Sequence, residues 1–341
     1  MKYDLTQLAK EGFDFDEWDD TIIKAALLGH RPLGLKALTP IFTGVTLNNF
    51  KTVVGTGKNA IPMDSIGPQV LEYCSMDAWG AHQLNQIFKI PSPLQGIYDT
   101  SKAVTRVLMD MEKIGLPVDQ VKLTHGRRLV LKRMAQLEAD LIAQGVEEPT
   151  RPVTIAQKFW KGKSHKVTTR SGRLSTKAAD LKASATSRDA WIYPLIEYRQ
   201  LAHFEHTYLA AWKGQERLHP SINQTGTMTG RFSCSDPNLQ NIPKSSLVSL
   251  YNLFTAPEGF VFISADYSQL ELRVLANLSV DPAMLQAYLS GRDLHQETQA
   301  IVEGMGLFQQ LGIDSHEAKR RFAKTINFGI AYGITSYGLG T

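Results

Sequence analysis

The segment that most constrains the fold is FVFISADYSQLELRVLANLS, residues 260–279. Its first eight residues are dominated by β-forming side chains, and LELRVLANL then has apolar residues at helical spacing. The pattern predicts a strand that ends near Asp266 and turns directly into a helix. A carboxylate there can bind Mg²⁺ beside the backbone carbonyl of Tyr267, or it can cap the helix. For Asp266 alone, the pattern favours the cap.

Apolar periodicity predicts that much of the remaining chain is helical. IPSPLQG, residues 90–96, has two prolines and a glycine and is predicted to be a linker. The Ser/Thr/Gly-rich stretch 161–176 is predicted to be an exposed loop or hairpin, and residues 219–247 to be rich in turns. The predicted helices cover residues 66–88, about 100–114, about 119–144, 188–212, 281–303 and 315–332.

Positive charge is concentrated in residues 151–188, which hold ten Lys or Arg residues against a single acid, Asp180. The whole chain carries a net charge of only +4. Such a segment is either a solvated loop or a surface that follows a polyanion, because neutralised phosphates supply most non-specific affinity for nucleic acids. Charge alone does not choose between these two interpretations.

Composition excludes several classes of protein. The hydrophobic content of 43% and charged content of 21% are ordinary for a globular chain, and no apolar run is long enough for a membrane span. Cys74 and Cys234 match no metal-binding spacing and are expected to be reduced thiols. We therefore expect no membrane partner and a cytoplasmic location.

KRRFAKTINFGIAYG, residues 319–333, places Arg320, Lys324, Phe328 and Tyr332 four residues apart. On a helix these side chains form one stripe. Two cations followed by two aromatic rings suit a nucleotide, with the cations on its phosphates and the rings against sugar and base. The alternative is an ordinary helix whose basic residues face out and whose aromatics face in.

TGTMTGRFSCSDPNLQNIP, residues 225–243, contains polar side chains that can donate to base edges or phosphates. The segment is equally consistent with a surface loop whose polar groups bond to one another. The candidate donors are Arg231, Asn238, Gln240 and Asn241.

Tyr73 and Asp77 in EYCSMDAWG lie one helical turn apart. A tyrosine that orients a water beside a metal-bound aspartate suits metal-assisted hydrolysis of a phosphodiester. Asp4 and, further along the chain, Asp20 are candidate companions. Without such companions, Tyr73 and Asp77 are simply two surface residues.

Four segments occur in a specific order: TGRFSCSDPNLQNIP, SADYSQLELRVLANLS, RDLHQET and RRFAKTINFGIAYG. Together they closely resemble the polymerase domain of family-A (DNA polymerase I-like) DNA polymerases. EYRQLAHFEHTYL and SGRLST resemble that family's thumb-to-palm region. Residues 1–88 resemble the latter part of its 3′–5′ proofreading exonuclease domain.

The resemblance implies a multidomain α+β fold. Residues 1–92 would be the C-terminal part of an RNase H-like 3′–5′ exonuclease domain. Residues 93–341 would be the N-terminal part of a right-hand polymerase domain. Its thumb would cover about 119–215 and its palm about 216–290, with the fingers starting near 291.

The family pattern also implies roles for individual residues. Asp266, with the carbonyl of Tyr267, would bind both catalytic Mg²⁺ ions, and Glu271 would reject a ribose 2′-OH. Lys324 would act catalytically on the triphosphate, which Arg320 and His295 would help to hold.

Further contacts follow from the same resemblance. Phe328 and Tyr332 would bound the pocket for the nascent base pair, and Phe at 328 implies a preference for a normal 3′-OH nucleotide over a dideoxynucleotide. The basic segment 151–188 would lie on duplex backbone. The primer–template contacts would be Arg231, Asn238, Gln240 and Asn241, and the exonuclease remnant would be Asp4, Tyr73 and Asp77.

The resemblance thus implies template-directed nucleotidyl transfer by two metal ions, with primer–template DNA and dNTPs as partners. A replication accessory protein is a further candidate partner, in bacterial or phage-infected cytoplasm. The family's second metal-binding Asp would lie beyond Thr341, and its first exonuclease motif before Met1. We therefore expect a chain truncated at both ends that neither polymerises nor excises alone. A non-catalytic DNA-binding protein on a decayed polymerase scaffold and a stand-alone nuclease are the alternatives.

Overall fold

α-Helices form most of the chain, and the computed structural model describes residues 2–13, 15–56, 60–61, 67–243 and 247–335. The chain divides into two units, Met1–Phe260 and Val261–Thr341. None of the described helices is long and apolar enough to cross a membrane. The helices of the first unit are α1 Lys2–Lys10, α2 Thr21–Leu27, α3 Leu35–Thr43, α4 Phe50–Val54, α5 Pro68–Ile87, α6 Ser92–Ile114, α7 Gln120–Ala143, α8 Pro152–Trp160, α9 Ala178–Ala183 and α10 Ile192–Phe204.

The main core of the first unit lies where α7 packs against α10. Residues seven apart on α7, namely Leu123, Val130 and Leu137, are all buried, so one face of this helix enters the core. Leu195 of α10 is fully buried in the same cluster. Complete burial of each such side chain contributes about 1.5–3 kcal/mol, so this seam holds the region together.

A smaller core joins α2, α3 and α5. The rings of His30, Phe42 and Phe88 pack against one another with centroids about 5 Å apart. Asp20 is buried, and its carboxylate accepts hydrogen bonds from Ile22 N and Ile23 N. Asp20 is therefore the N-cap of α2, which satisfies backbone donors at the helix start and explains the acid without a metal.

The helix predicted at 66–88 is confirmed as α5, but the linker predicted at residues 90–96 is wrong. Pro91 precedes α6, which begins at Ser92 and has Pro93 in its first turn. A proline there costs nothing, because the first N–H groups of a helix have no intrahelical partner. The Pro-rich signal therefore marks a helix start.

Short antiparallel pairs supply the β-structure of the first unit. The hairpin predicted within 161–176 is confirmed, because Thr168 and Leu174 form a β-bridge. The turn-rich region 219–247 holds one of the two small sheets found among the described residues. The pairs are β1 Leu116–Pro117 with β2 Arg217–Leu218, and β3 Ser221–Asn223 with β4 Ser233–Ser235.

Residues 260–267 do not form the predicted strand. The backbone makes no strand pairing among the described residues, and Val261 and Ile263 are 81% and 88% exposed. Isolated strands are unstable because their N–H and C=O groups need a neighbouring strand. The side chains favour a strand, but these residues have no neighbouring strand to pair with in the part of the chain that the structure describes.

The second unit is otherwise helical, as predicted, except that the helix predicted over 281–303 is interrupted at residues 290–293. Val302 of α13 (Leu294–Gly304), Phe308 of α14 (Leu307–Gln310) and Ala323 of α15 (His316–Ala331) are buried. The Phe308 and Phe322 rings meet edge to face with centroids 5.7 Å apart, and α13 packs along α15. The helices are α11 Leu270–Ser279, α12 Pro282–Leu289, α13 Leu294–Gly304, α14 Leu307–Gln310 and α15 His316–Ala331.

Candidate functional site

The aromatic and basic stripe predicted on residues 319–333 lies along α15. The Phe328 and Tyr332 rings are nearly parallel, at 17°, with centroids 6.4 Å apart. The Lys324 ammonium lies 5.7 Å from the Phe328 centroid. An open groove of about 620 Å³ runs beside them, lined by Arg321, Lys324, Thr325, Phe328, Gly329, Tyr332 and Ile334. One face of α15 thus presents cations next to flat apolar rings.

His295 lies at the start of α13 and packs its ring 5.7 Å from that of Phe328. Its side chain is buried, and burial lowers its pKa below the ordinary value of 6.5. The neighbouring cations Arg320 and Lys324 act in the same direction, while Asp293 opposes them. His295 is therefore neutral at pH 7, and it can offer a hydrogen bond but no positive charge to a phosphate.

Asn327 fixes the orientation of the His295 ring, a role that the sequence did not reveal. Its Nδ2 donates to His295 Nδ1 at 2.9 Å, and its Oδ1 accepts from Thr298 Oγ1 at 2.9 Å. Because Nδ1 accepts this bond, the proton of the neutral ring is on Nε2. Asn327 lies outside the four-residue period of the stripe, so the pattern that identified Lys324 and Phe328 did not include it.

Asp293 joins three helices through one carboxylate. Oδ2 accepts from the Arg320 guanidinium at 2.7 Å, and Oδ1 accepts from Gln269 Nε2 at 2.9 Å and from His295 N at 2.8 Å. Burial by itself would raise the pKa of Asp293, but these three hydrogen bonds bring it below its ordinary value. The carboxylate is therefore ionised at neutral pH.

Glu271 and Tyr332 meet across α11 and α15. The Tyr332 hydroxyl donates a hydrogen bond to Glu271 Oε2. Both side chains are solvent-exposed and lie at the end of the stripe that carries the two aromatic rings. The second unit thus brings together six of the predicted residues: Glu271, His295, Arg320, Lys324, Phe328 and Tyr332.

Asp266 and Tyr267 lie in the exposed segment without regular secondary structure before α11. Asp266 does not cap that helix, because Gln269 is the residue at its N-cap position. A carboxylate and a carbonyl are suitable oxygen ligands for Mg²⁺, but a two-ion site needs more of them. The described residues contain no cluster of three or more His, Cys, Asp or Glu side chains that could hold a metal. By themselves they do not form a metal centre.

The predicted DNA-contacting amides lie in the loop after β4, and two of them bond within the loop. Asn238 Oδ1 accepts from the backbone N–H groups of Gln240 and Asn241, and Gln240 Nε2 donates to Phe232 O at 3.1 Å. Arg231 and the Asn241 side chain are exposed. The loop is therefore held in shape by its own polar groups, while Arg231 and Asn241 face solvent.

A π-helix, Glu205–Ala210, continues α10 and supports this loop. Tyr208 extends from it and donates its hydroxyl to Asn241 O at 3.1 Å. Glu205 pairs with Arg127 of α7 at 2.7 Å. π-Helices are rare and alter the direction of the side chains that follow them, which is consistent with a positioning role here.

The basic segment 151–188 contains two kinds of cation. Some bond within the fold: Lys163, for example, is half-buried and contacts Asp189 Oδ2 at 2.7 Å. Others are exposed and form no ion pair with any residue that the structure describes. The latter group is Lys161, Lys166, Arg170, Arg173, Lys177, Lys182 and Arg188.

Tyr73 and Asp77 lie one turn apart on α5, as predicted, but a cation already occupies the space beside them. The Lys36 ammonium pairs with Asp77 Oδ1 and lies 4.2 Å from the Tyr73 ring centroid. Burial lowers the pKa of Lys36. Asp4 lies in the first turn of α1. The sequence pattern around Tyr73 and Asp77 could not include Lys36, because Lys36 lies on a separate helix, α3.

A family model for DNA polymerase family A matches residues 128–341, well over half of the chain. The chain belongs to DNA polymerase family A. This membership accounts for the fold as a mostly helical family-A polymerase domain with small sheets.

Relatives of this family-A chain extend beyond the matched region. It is 32% identical to DNA polymerase I of Rhizobium leguminosarum over 99% of its own length, which is 35% of the relative. It is 39% identical to the thermostable DNA polymerase I of Thermus aquaticus over 71% of its length and 30% of the relative. The chain thus spans about a third of the length of these curated relatives.

The fold of this family-A chain is also similar to that of the POL domain of Pol1 from M. smegmatis, solved in complex with DNA primer-template and dNTP. The TM-score is 0.71 at 24% sequence identity. The match covers 99% of the present chain and 58% of the other. At this identity the similarity concerns the fold alone.

Proposed function

We propose that this chain is part of a DNA-directed DNA polymerase and that it binds a deoxynucleoside triphosphate on α15. The observation that carries the proposal is the stripe on this helix, which places Lys324 next to the stacked rings of Phe328 and Tyr332, with Arg320 one turn before Lys324. A triphosphate needs concentrated positive charge, and a base needs a flat apolar surface. Family membership and the primer-template and dNTP bound by the M. smegmatis domain support the same function.

Each predicted nucleotide contact has a chemical basis in this site. Lys324 is exposed and can contact the phosphates, whereas neutral His295 can donate only from Nε2. The carboxylate of Glu271, held by Tyr332, can exclude a ribose 2′-OH from the sugar position. Phe328 would pack on the base pair, and its lack of a hydroxyl underlies the proposed preference for a 3′-OH nucleotide.

Primer–template DNA is the second proposed ligand. The exposed cations of residues 161–188 can neutralise backbone phosphates without reading sequence. Arg231, in the connection between β3 and β4, and Asn241, in the loop that Tyr208 supports, can contact the primer–template. In this proposal Asn238 and Gln240 act mainly by holding the loop, because their side-chain oxygen and nitrogen are already engaged.

Divalent metal ions would supply two-ion nucleotidyl transfer, with Asp266 and the Tyr267 carbonyl as ligands. Because the described residues do not complete such a centre, we propose that chain 1–341 binds its ligands without extending a primer. We propose likewise that residues 1–92 derive from a proofreading exonuclease. In this proposal the Lys36 ammonium occupies the Asp77 carboxylate that a metal ion would otherwise use.

Equilibrium binding tests the proposal. Purified chain 1–341 is titrated with dATP and Mg²⁺ in the presence of a primer–template whose next template base is T. We expect saturable binding that is weaker when the next template base is changed to A. Binding of DNA with no dATP binding under either condition would contradict the proposal and favour a non-catalytic DNA-binding protein. Primer extension by the same chain would contradict its predicted inactivity.

A further inference from the structure

One carboxylate of the second unit accepts hydrogen bonds from three separate helical segments. Asp293 Oδ1 binds the backbone N–H of His295 and Nε2 of Gln269, and Oδ2 binds Arg320 at 2.7 Å. Its side chain is 23% exposed, so these bonds are partly shielded from water. No other described acid of this unit joins three helices through such bonds.

Helix capping does not require this arrangement, as Asp281 shows. Asp281 precedes α12 and accepts only from Met284 N at 2.8 Å. It makes no ion pair with the described residues. Asp293 performs the same capping task with Oδ1 and, in addition, directs Oδ2 at a cation of the proposed triphosphate site. The second oxygen therefore has a function beyond the cap.

We propose that Asp293 is a positioning residue of the triphosphate site, whose Oδ2 holds the Arg320 guanidinium ready for a phosphate. The inference rests on the proposed function and extends it to a residue that contacts no substrate. Arg320 uses one of its five N–H donors on Asp293, which leaves the others for phosphate oxygens. The bond removes rotamer freedom from a long side chain before the ligand arrives, which is the physical benefit of preorganisation.

The same carboxylate also fixes the start of α11. Gln269 has a left-handed backbone, φ 53°, immediately before that helix, which is unfavourable for a residue with a Cβ. Its side chain is held from both ends, since Nε2 donates to Asp293 and Oε1 accepts from Tyr288 at 3.0 Å. Glu271 is two residues further along. Asp293 thus helps to place both the cation for the phosphates and the carboxylate near the sugar.

The opposite role is physically reasonable and predicts the opposite result. A carboxylate beside Arg320 lowers the local positive potential, so Asp293 could restrain Arg320 against a polyanion. In that case neutralising Asp293 would tighten triphosphate binding. Positioning predicts that the same change weakens it.

Asp293→Asn separates these roles because the variant retains an oxygen at the Oδ1 position for the His295 and Gln269 bonds. It replaces Oδ2 with an NH₂ group that cannot accept from Arg320. We expect dATP–Mg²⁺ affinity, measured by calorimetry with primer–template present, to fall about threefold to tenfold, the cost of immobilising one long side chain. Asp281→Asn is the matched control, with unchanged affinity.

Two further measurements distinguish positioning from general damage. In an Arg320→Ala background, Asp293→Asn should cause no additional loss of dATP affinity, because the side chain it positions is gone. Affinity for deoxyadenosine, which has no phosphate, should be equal in wild type and Asp293→Asn. If Asp293→Asn unfolds, Arg320→Lys tests the contact from the other side, and we expect a similar loss of dATP affinity.

The outcomes separate the two proposals. Unchanged or tighter dATP binding by Asp293→Asn overturns the positioning role while leaving the proposed function intact. The positioning role is also overturned if Asp293→Asn lowers dATP affinity as much in the Arg320→Ala background as it does in the wild type. If Arg320→Lys is the variant measured, unchanged dATP affinity has the same meaning. Failure of wild-type chain 1–341 to bind dATP at all overturns the proposed function itself.

Discussion

Tyr332, at the end of α15, donates its hydroxyl hydrogen bond to the carboxylate of Glu271 on α11. The two residues are 61 positions apart in sequence, and this bond joins the proposed base-binding ring to the proposed sugar-contacting acid. Without the phenolic donor, the Glu271 carboxylate would lose the bond that ties it to α15. The bond therefore makes the placement of one functional group dependent on the other.

Tyr332→Phe should reduce discrimination between deoxyribonucleotide and ribonucleotide. The variant retains the ring but not the donor, so the ratio of ATP to dATP dissociation constants should fall about threefold to tenfold, as expected for loss of one hydrogen bond. Fluorescence titration of the chain bound to primer–template measures both constants. Tyr193→Phe, at an exposed position on α10, is the control. An unchanged ratio would show that Tyr332 does not hold Glu271 in place.

Lys324→Ala should weaken dATP binding about tenfold to a hundredfold, because a charge-assisted contact to phosphate is lost. Lys319→Ala removes a cation from the same helix, but Lys319 is paired with Glu303 and should have little effect on dATP affinity. Binding is compared at two salt concentrations, and the wild-type advantage over Lys324→Ala should narrow at high salt. Equal losses in the two variants would indicate a general effect of helix charge.

The exposed cations of the basic segment should contribute to DNA affinity without sequence preference. In a Lys166→Ala/Arg170→Ala/Arg173→Ala variant, the slope of log affinity against log salt should decrease by up to about 3, because each phosphate contact adds nearly one. Lys163→Ala should instead lower the free energy of unfolding, since it breaks the ion pair with Asp189. A slope identical to wild type would exclude the triple-variant positions from the DNA interface.

Low pH should lower the free energy of unfolding of the first unit, because Asp19 becomes protonated. This carboxylate accepts from Lys24, Tyr98 and Asn85, and although burial opposes them, these bonds lower its pKa from 3.8 to about 2. Its stabilising contribution is complete above pH 3.8 and is lost as the pH falls towards 2. Because the side chain is 39% exposed, solvent screening limits the loss in Asp19→Asn at pH 7 to about 1 kcal/mol.

Urea denaturation followed by tryptophan fluorescence measures this effect at several pH values. The difference in unfolding free energy between wild type and Asp19→Asn should shrink as the pH falls from 3.8 towards 2. Asp16→Asn, at an exposed neighbouring position, serves as the charge control. A difference that stays constant down to pH 2 would mean that the Asp19 charge is not what stabilises the fold.

Local signals predicted the helices well and the long-range contacts poorly. The α15 stripe follows from a four-residue period, so its four side chains could be identified from the sequence alone. The partner of Arg320 could not, because Asp293 reaches that stripe only through tertiary packing. Lys36 is a similar case, since nothing around it in sequence indicates that its ammonium lies against Asp77.

The errors at residues 90–96 and 260–267 have separate physical causes. At residues 90–96 the prolines were interpreted as breaking structure, whereas a proline in the first turn is compatible with a helix. At residues 260–267 the side chains favour a strand, but strand formation is decided by the neighbouring backbone and not by propensity alone.

The exposed segment at residues 260–263 also has a practical consequence for handling the protein. Its four consecutive apolar residues, Phe260, Val261, Phe262 and Ile263, are each more than half exposed and belong to no strand or helix among the residues that the structure describes. Exposed stretches of this kind template edge-to-edge association between molecules. We expect the purified chain to form reversible oligomers as its concentration rises, and a lysine in place of Ile263 to keep it monodisperse in light scattering.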